Sequence, residues 1–277
     1  MKLLSITVQE GSGVRTMDKG GQKLGLVLGA GSARGLAHIG VIQALLEAKI
    51  PIDLVVGSSM GAAVGACFAA GVDMYLLPQL LSQMNLNKLF DIQVPRLGFV
   101  AGNKIQEMIK LLTQEKNFEQ LDIPLAVVAT DLESGERVVF CEGPVFPAVR
   151  ASISIPGIFQ PVIHDNRLLV DGAVCERLPV SVARELDMDI VVAVDVTFGS
   201  KELRIKSILD VFLQSITLLE RQIHESRMEG MDVLIQPGVG NMAINRFDLV
   251  EEAVLAGREA AQQLIPRIKE LLAGPDA

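Results

Sequence analysis

Apolar residues along this chain fall into two alternating rhythms. Short unbroken runs, rich in Val, Ile and Leu, read as strands buried on both faces. Runs with apolar positions three and four apart read as helices. Leu24–Leu28, Leu54–Val56, Leu125–Ala129, Val138–Phe140, Leu168–Val170, Ile190–Val196 and Val233–Ile235 are of the first kind. Leu36–Ala48, apolar over almost its whole surface, and Met60–Ala70, read as a buried helix, are helical, and Ile105–Leu112 reads as a further helix. Two longer helices are predicted near the end. One spans Ile205–Arg227, with Ile208, Val211, Phe212, Ile216, Leu219 and Ile223 at helical spacing. The other starts at Asp248, where Glu251 three residues on resembles a capping box. Its apolar face is Val250, Ala253, Val254, Gly257, Ala261, Leu264, Ile268 and Leu271, and Pro266 predicts a kink. Strands alternating with helices predict an α/β fold with a mainly parallel central sheet covered on both faces.

Few breaks interrupt this pattern. Residues 1–22 carry Gly11, Gly13, Gly20 and Gly21 and read as a loose leader with a short strand at Leu4–Val8. Residues 23–277 read as one domain, with C-terminal helices over 205–272. Residues 74–104 are the least regular, mixing Asn85, Asn87, Pro95 and Gly98 with exposed-looking Leu86, Phe90 and Phe99. A cap over a site, drawn across 74–118, and an ordinary irregular connection both fit. No charge occurs from Leu54 to Val72, a length that can span a membrane. The four glycines and two serines within it favour a strand, a turn and a small-residue helix in a protein core. The first residues, Met1-Lys2 followed by a short apolar run, do not read as a signal peptide. A cytoplasmic location, peripheral to a membrane at most, is the expectation.

Composition narrows the chemistry. The 277 residues carry a net charge of −8 without a dense Lys/Arg block, which argues against nucleic acid and weakens docking to anionic lipid. Cys67, Cys141 and Cys175 are odd in number, far apart and without a CxxC spacing, so neither a disulfide framework nor a structural metal is expected.

Two glycine turns then stand out. Gly57-Ser-Ser59-Met-Gly61 is a Gly-x-Ser-x-Gly placed between a predicted strand and a predicted helix. Such an elbow turns too sharply for side chains at its flanks, lifts the serine hydroxyl out of the sheet, and sets it at a helix N-terminus. The Met60 N–H would face a developing oxyanion. The second turn, Gly29-Ala-Gly-Ser-Ala-Arg-Gly35, also joins a strand to a helix and presents backbone N–H groups outward. As a dinucleotide fingerprint it fails, because Gly35 comes one residue late and the second strand ends in the serine turn rather than an acid. An oxyanion-binding loop built on Gly29, Ala30 and Gly31 fits better. Arg34 is either a surface cation or a contact to a substrate phosphate or to the loop.

A serine needs a base. His38 lies on an apolar helix, His164 in what reads as a turn, and His224 within a charged helix end. Ser59, Asp171 and His224 have the chain order of an α/β-hydrolase triad, but that order needs the histidine on a loop. Asp171, at a strand end before Gly172-Ala173, is the better base if burial raises its pKa. Spacing alone leaves it open between that role and a turn-capping aspartate.

Taken together, these residues resemble the patatin-like phospholipase family. Gly29–Gly35 followed by Leu-Ala-His-Ile-Gly-Val41 looks like its glycine-rich block, and Gly57–Gly61 matches its serine turn. Arg150-Ala-Ser-Ile-Ser-Ile-Pro-Gly-Ile-Phe-Gln-Pro161 is similar to the loop before its aspartate, and Asp171-Gly172-Ala173 matches its Asp-Gly-Ala/Gly. Four blocks in the right order, across roughly residues 22–200, are far more specific than one. Ala30 departs from the usual glycine but keeps the N–H. The resemblance implies a three-layer α/β/α fold and a Ser59–Asp171 dyad without a catalytic histidine. It implies an acyl-enzyme route on fatty-acyl esters of lipids, with no metal and no cofactor. Expected partners are the lipid substrate, transient peripheral membrane contact and a homodimer. Two rivals stay on the table: a regulatory or binding protein on the same fold, and a nucleotide-binding oxidoreductase.

Overall fold

The computed structural model describes residues 21–84, 86–89, 91, 97–197 and 230–274. The expected Leu4–Val8 strand, the Ile205–Arg227 helix with His224, and Phe90 lie outside them. Ten strands are present among the described residues: β1 (Leu24–Leu28), β2 (Leu54–Ser58), β3 (Gly98–Val100), β4 (Leu125–Asp131), β5 (Arg137–Phe140), β6 (Gly157–Phe159), β7 (Val162–His164), β8 (Arg167–Asp171), β9 (Ile190–Val194) and β10 (Val233–Ile235). The helices are α1 (Ala37–Glu47), α2 (Met60–Ala69), α3 (Leu76–Gln83), α4 (Asn103–Leu112), α5 (Val145–Ser152), α6 (Ala173–Glu176), α7 (Val180–Glu185) and α8 (Val250–Ala273).

The main sheet runs β10-β9-β1-β2-β4-β8-β7, with β5 also on β4. From β10 to β4 every pair is parallel. All residues of β1, β2, β4 and β9 are buried, as unbroken apolar runs between two helix layers should be. At β4 the order changes. β5 lies antiparallel along one edge, Val127 to Thr130. The other edge is shared end to end: β2 pairs with Leu125–Val128 and β8, antiparallel, with Ala129–Asp131. The two strands therefore finish head to head, Ser58 opposite Val128 and Asp171 opposite Ala129. This junction places the next residue of β2, Ser59, beside the last residue of β8.

Helices α1 and α8 pack as a pair on one face. They cross where each has a glycine: a Cβ on Gly40 would fall 1.8 Å from the Val254 carbonyl oxygen, and one on Gly257 1.9 Å from that of Ala37. Val250, Ala253, Gly257, Ala261 and Ile268 form the buried side of α8, the face read from their spacing. Helix α8 passes through Pro266 as one element. Its start differs from expectation. Asp248 caps nothing; its carboxylate takes Arg246 at 2.7 Å, and Leu249 occupies the N-cap.

Three further readings are corrected. His164 ends strand β7 rather than forming a turn, and the turn is Asp165-Asn166, both at positive φ, closing a two-residue hairpin. The irregular stretch 74–104 holds α3, a 3-10 turn at Leu86–Leu89 and β3, which pairs with β6 in a small second sheet. Phe99 is exposed as its pattern suggested, whereas Leu86 is half-buried. For Arg34, left open between a surface cation and a contact to substrate or loop, burial removes the first alternative. No described helix is long and apolar enough to cross a membrane.

Candidate active site

Strand β2 ends in the serine turn. Ser59 sits at φ 54° and ψ −124°, directly before α2. The chain reverses so tightly there that a Cβ on Gly57 would lie 2.5 Å from Ala62 Cα, and one on Gly61 2.0 Å from the Leu28 carbonyl oxygen. Only glycine fits either place. Met60 opens α2, so its N–H has no acceptor within the helix and lies in the helix's first turn.

Asp171 ends β8. Its Oδ2 accepts the Ser59 hydroxyl at 2.6 Å, and its Oδ1 accepts the Ala173 N–H at 2.9 Å. Thr130 donates to its main-chain carbonyl at 2.9 Å. Burial pushes the Asp171 carboxyl up to about 7, against the lowering effect of the Ser59 and Ala173 donors. A carboxyl so placed can exchange a proton near neutral pH, and the group it faces is a hydroxyl.

The Gly29–Gly35 loop leaves β1 beside this turn, since β1 and β2 are neighbours. Its amides are not equivalent. The Gly29 N–H donates to Val194 O at 3.1 Å and the Ala30 N–H to Arg177 O at 2.9 Å. This corrects the expectation that Gly29 and Ala30 both offer free donors: each amide is spent on a carbonyl, because the loop must be tied to the end of β9 and to Arg177. The Gly31 N–H makes no backbone bond among the described residues. Ala30, Gly31, Ser32, Arg34, Ser59, Ile155, Asp171, Val174, Arg177, Thr197 and Ile244 are among the residues that line one cleft. Arg34 lines it while its Nε–H holds the Met242 carbonyl at 2.6 Å, and Ser32 Oγ donates to Ile244 O at 2.8 Å. Loop 242–244 is thereby fastened to the glycine loop.

Neither described histidine reaches Ser59. His38 is buried, with Nε2 2.8 Å from the Gly29 carbonyl, so Nε2 carries the proton and donates. Burial pushes the imidazole down to about 4, which keeps it neutral at ordinary pH. The Gly29–Ala30 peptide is thus gripped at both ends, its C=O by His38 and its N–H by Arg177 O. His164 is partly exposed and stands 3.5 Å from Asp165. Among the described residues no group of His, Cys, Asp and Glu is arranged to hold a metal ion.

Sequence reasoning missed two contributors. Arg177 lies in the cleft wall, paired with Asp195 at 3.0 Å, and Asp195 also accepts the Thr197 N–H and hydroxyl. Ser152 accepts the Ser59 N–H at 2.9 Å and donates to Val128 O at 2.6 Å. It lay within a quoted block, but no local pattern marks it; only the register of β2 on β4 reveals its place.

Comparison with known proteins agrees with this architecture. The family model for patatin-like phospholipases matches residues 26–184, more than half of the chain. An uncharacterized NTE family protein of Mycobacterium tuberculosis is 40% identical over 183 residues, covering 65% of this chain and 51% of that protein. The mouse patatin-like phospholipase domain-containing protein 6 is 34% identical over 190 residues, 66% of this chain but 14% of that protein. The chain thus spans about half the length of the mycobacterial relative and far less of the mouse one. The crystal structure of VipD from Legionella pneumophila superposes with a TM-score of 0.63 at 12% identity, covering 91% of this chain and 67% of that one, a likeness of fold. On the match to its family model and on this fold, the chain belongs to the patatin-like phospholipase family.

Proposed function

We propose that the protein is a serine hydrolase of lipid acyl esters, with Ser59 as nucleophile and Asp171 as general base. The observation that carries this reading is the 2.6 Å hydrogen bond from the Ser59 hydroxyl to a buried carboxylate at the wall of an open cleft. Asp171 takes the hydroxyl proton as Ser59 Oγ attacks the ester carbonyl carbon. The tetrahedral oxyanion is met by the N–H groups of Met60 and Gly31, and collapse expels the alcohol, which receives the proton held by Asp171. Water, deprotonated by the same carboxylate, then attacks the acyl-enzyme carbonyl, and Ser59 Oγ leaves with that proton, which releases the fatty acid and restores the free serine and carboxylate. Asp171 does in one residue what a His–Asp pair does elsewhere, because burial brings its pKa into the working range. Ile155, Pro156, Val174 and Ile244 give the cleft apolar wall against which an acyl chain can lie.

The test is a panel of phospholipid, lysophospholipid and neutral fatty-acyl esters, with Ser59→Ala as control. A fluorophosphonate probe should label wild type at Ser59, located by peptide mass spectrometry. Turnover of at least one member with labelling at Ser59 is expected. No labelling, or hydrolysis that survives in Ser59→Ala, would sink the reading. A His224→Ala variant should keep full turnover.

A further inference from the structure

The pairing of β2 with β4 stops where the serine turn begins, and a side chain stands at the break. Val55, opposite Leu125, donates its N–H to Pro124 O at 2.9 Å. In a parallel ladder such bonds recur every second residue. Two steps on, the Ser59 N–H comes opposite the Val128 carbonyl. That bond is replaced. The Ser152 hydroxyl stands between the two groups, accepting from Ser59 N at 2.9 Å and donating to Val128 O at 2.6 Å. Ser152 is fully buried, so bulk water does not compete for either group.

The same short segment holds the other half of the pair. Ser152 O accepts the Gly172 N–H at 3.3 Å, and Ser154 O accepts the Asp171 N–H at 2.9 Å. The end of α5 is therefore a splint laid across the head-to-head ends of β2 and β8. It grips Ser59 through a side chain and Asp171-Gly172 through the backbone.

We propose that Ser152 is a positioning residue: its hydroxyl splices the broken ladder and so sets the Ser59 hydroxyl against the Asp171 carboxylate. The proposal rests on the reading of Ser59 and Asp171 as the reacting pair. Without the hydroxyl, the Ser59 N–H and Val128 carbonyl must close on each other or stay unpaired. Either way the serine shifts relative to Asp171, whose main chain is held by Ser154 and whose Oδ1 is held by the Ala173 N–H, and a shift of under an ångström is enough to slow proton transfer.

Ser152→Thr and Ser152→Val are matched in shape and differ by the hydroxyl, so comparing them separates positioning from packing. Ser152→Ala is a smaller variant that also lacks the hydroxyl. Each is assayed on a soluble p-nitrophenyl ester, with active sites counted by fluorophosphonate titration. Ser152→Thr should stay near wild type. Ser152→Val and Ser152→Ala should lose roughly 10- to 100-fold in kcat per titrated site with KM little changed. The acid limb of their pH profiles should move to higher pH, since a carboxylate that loses the Ser59 donor holds its proton more tightly. Equal kcat for the Thr and Val variants would overturn the proposal. So would a loss explained by fewer titratable sites, with wild-type turnover and pH profile at those that remain. Ser59→Ala run alongside keeps the two levels apart: if it still turns over ester, the underlying reading fails whatever Ser152 does.

Discussion

Ser59 holds a backbone conformation that L residues avoid, φ 54° and ψ −124°, at a cost of about 1–3 kcal/mol. That strain gives a test free of any substrate. Ser59→Ala and Ser59→Gly both remove the hydroxyl, but only glycine relieves the backbone. Thermal melts should place Ser59→Gly above Ser59→Ala by about 1 kcal/mol; equal stability would show the turn to be unstrained. Asp171 gives a second. Its carboxyl titrates near 7 because it is buried, and only the ionised form can act as a base. The kcat/KM of wild type should therefore rise with pH through about 7 and level off above, and a flat profile from pH 5 to 8 would exclude Asp171 as the base. At this scale the sequence was informative where chemistry demands rare local patterns. Gly57, Ser59 and Gly61 stand in a turn with few alternatives, whereas the spacing around Asp171 left its role open and only the resemblance of four ordered blocks pointed to it. Ser152 was not legible, because its role comes from a register between distant strands, and an Ala-Ser step has no intrinsic meaning. The spent amides of Gly29 and Ala30 were equally hidden, since their acceptors are main-chain carbonyls of Val194 and Arg177.

Among the elements, unbroken apolar runs were the ones readable in advance, whether buried on both faces or half-buried like β5. β1, β2, β4 and β9 are unbroken apolar runs whose extents are misjudged by a few residues at most. β3, β6 and β7 went unread because each is three residues long and partly exposed, as Phe99 and Ile163 show. Helix α5 escaped because Pro147 and Arg150 interrupt its apolar pattern, though Arg150 is buried and holds Ala101 O at 2.6 Å and Gln160 O at 3.1 Å. The capping expected from Asp248 failed because Arg246, two residues back, takes its carboxylate. The contact of α1 with α8 makes the element-level prediction. Gly40→Ala would set a methyl 1.8 Å from the Val254 carbonyl oxygen and force the helices apart. Overpacking of this kind costs about 1–3 kcal/mol or more, so the variant should unfold at lower denaturant or aggregate. An unchanged denaturation midpoint would contradict the crossing described here.

For the molecule as a whole, the buried Asp171 carboxyl is a stability liability that the fold carries. Its pKa in the folded state lies above the ordinary carboxylate range, so the folded protein holds the proton more tightly than the unfolded chain. Stability contributed by this group is therefore greatest below about pH 4 and falls as pH rises toward 7, by a few kcal/mol in all. Asp171→Asn removes that dependence. It should melt above wild type at pH 8, with the gap closing as pH falls toward 4. The molecule is arranged around one junction, where two strands of opposite direction end on the same edge of β4 and bring a serine and a carboxylate together. The measurement that bears most directly on this is steady-state hydrolysis of a p-nitrophenyl fatty-acyl ester by wild type, Ser59→Ala and Asp171→Asn. Both variants should fall by about 10³-fold or more in kcat while remaining folded. Wild-type turnover in either one would contradict the pairing of Ser59 with Asp171 as the reacting groups.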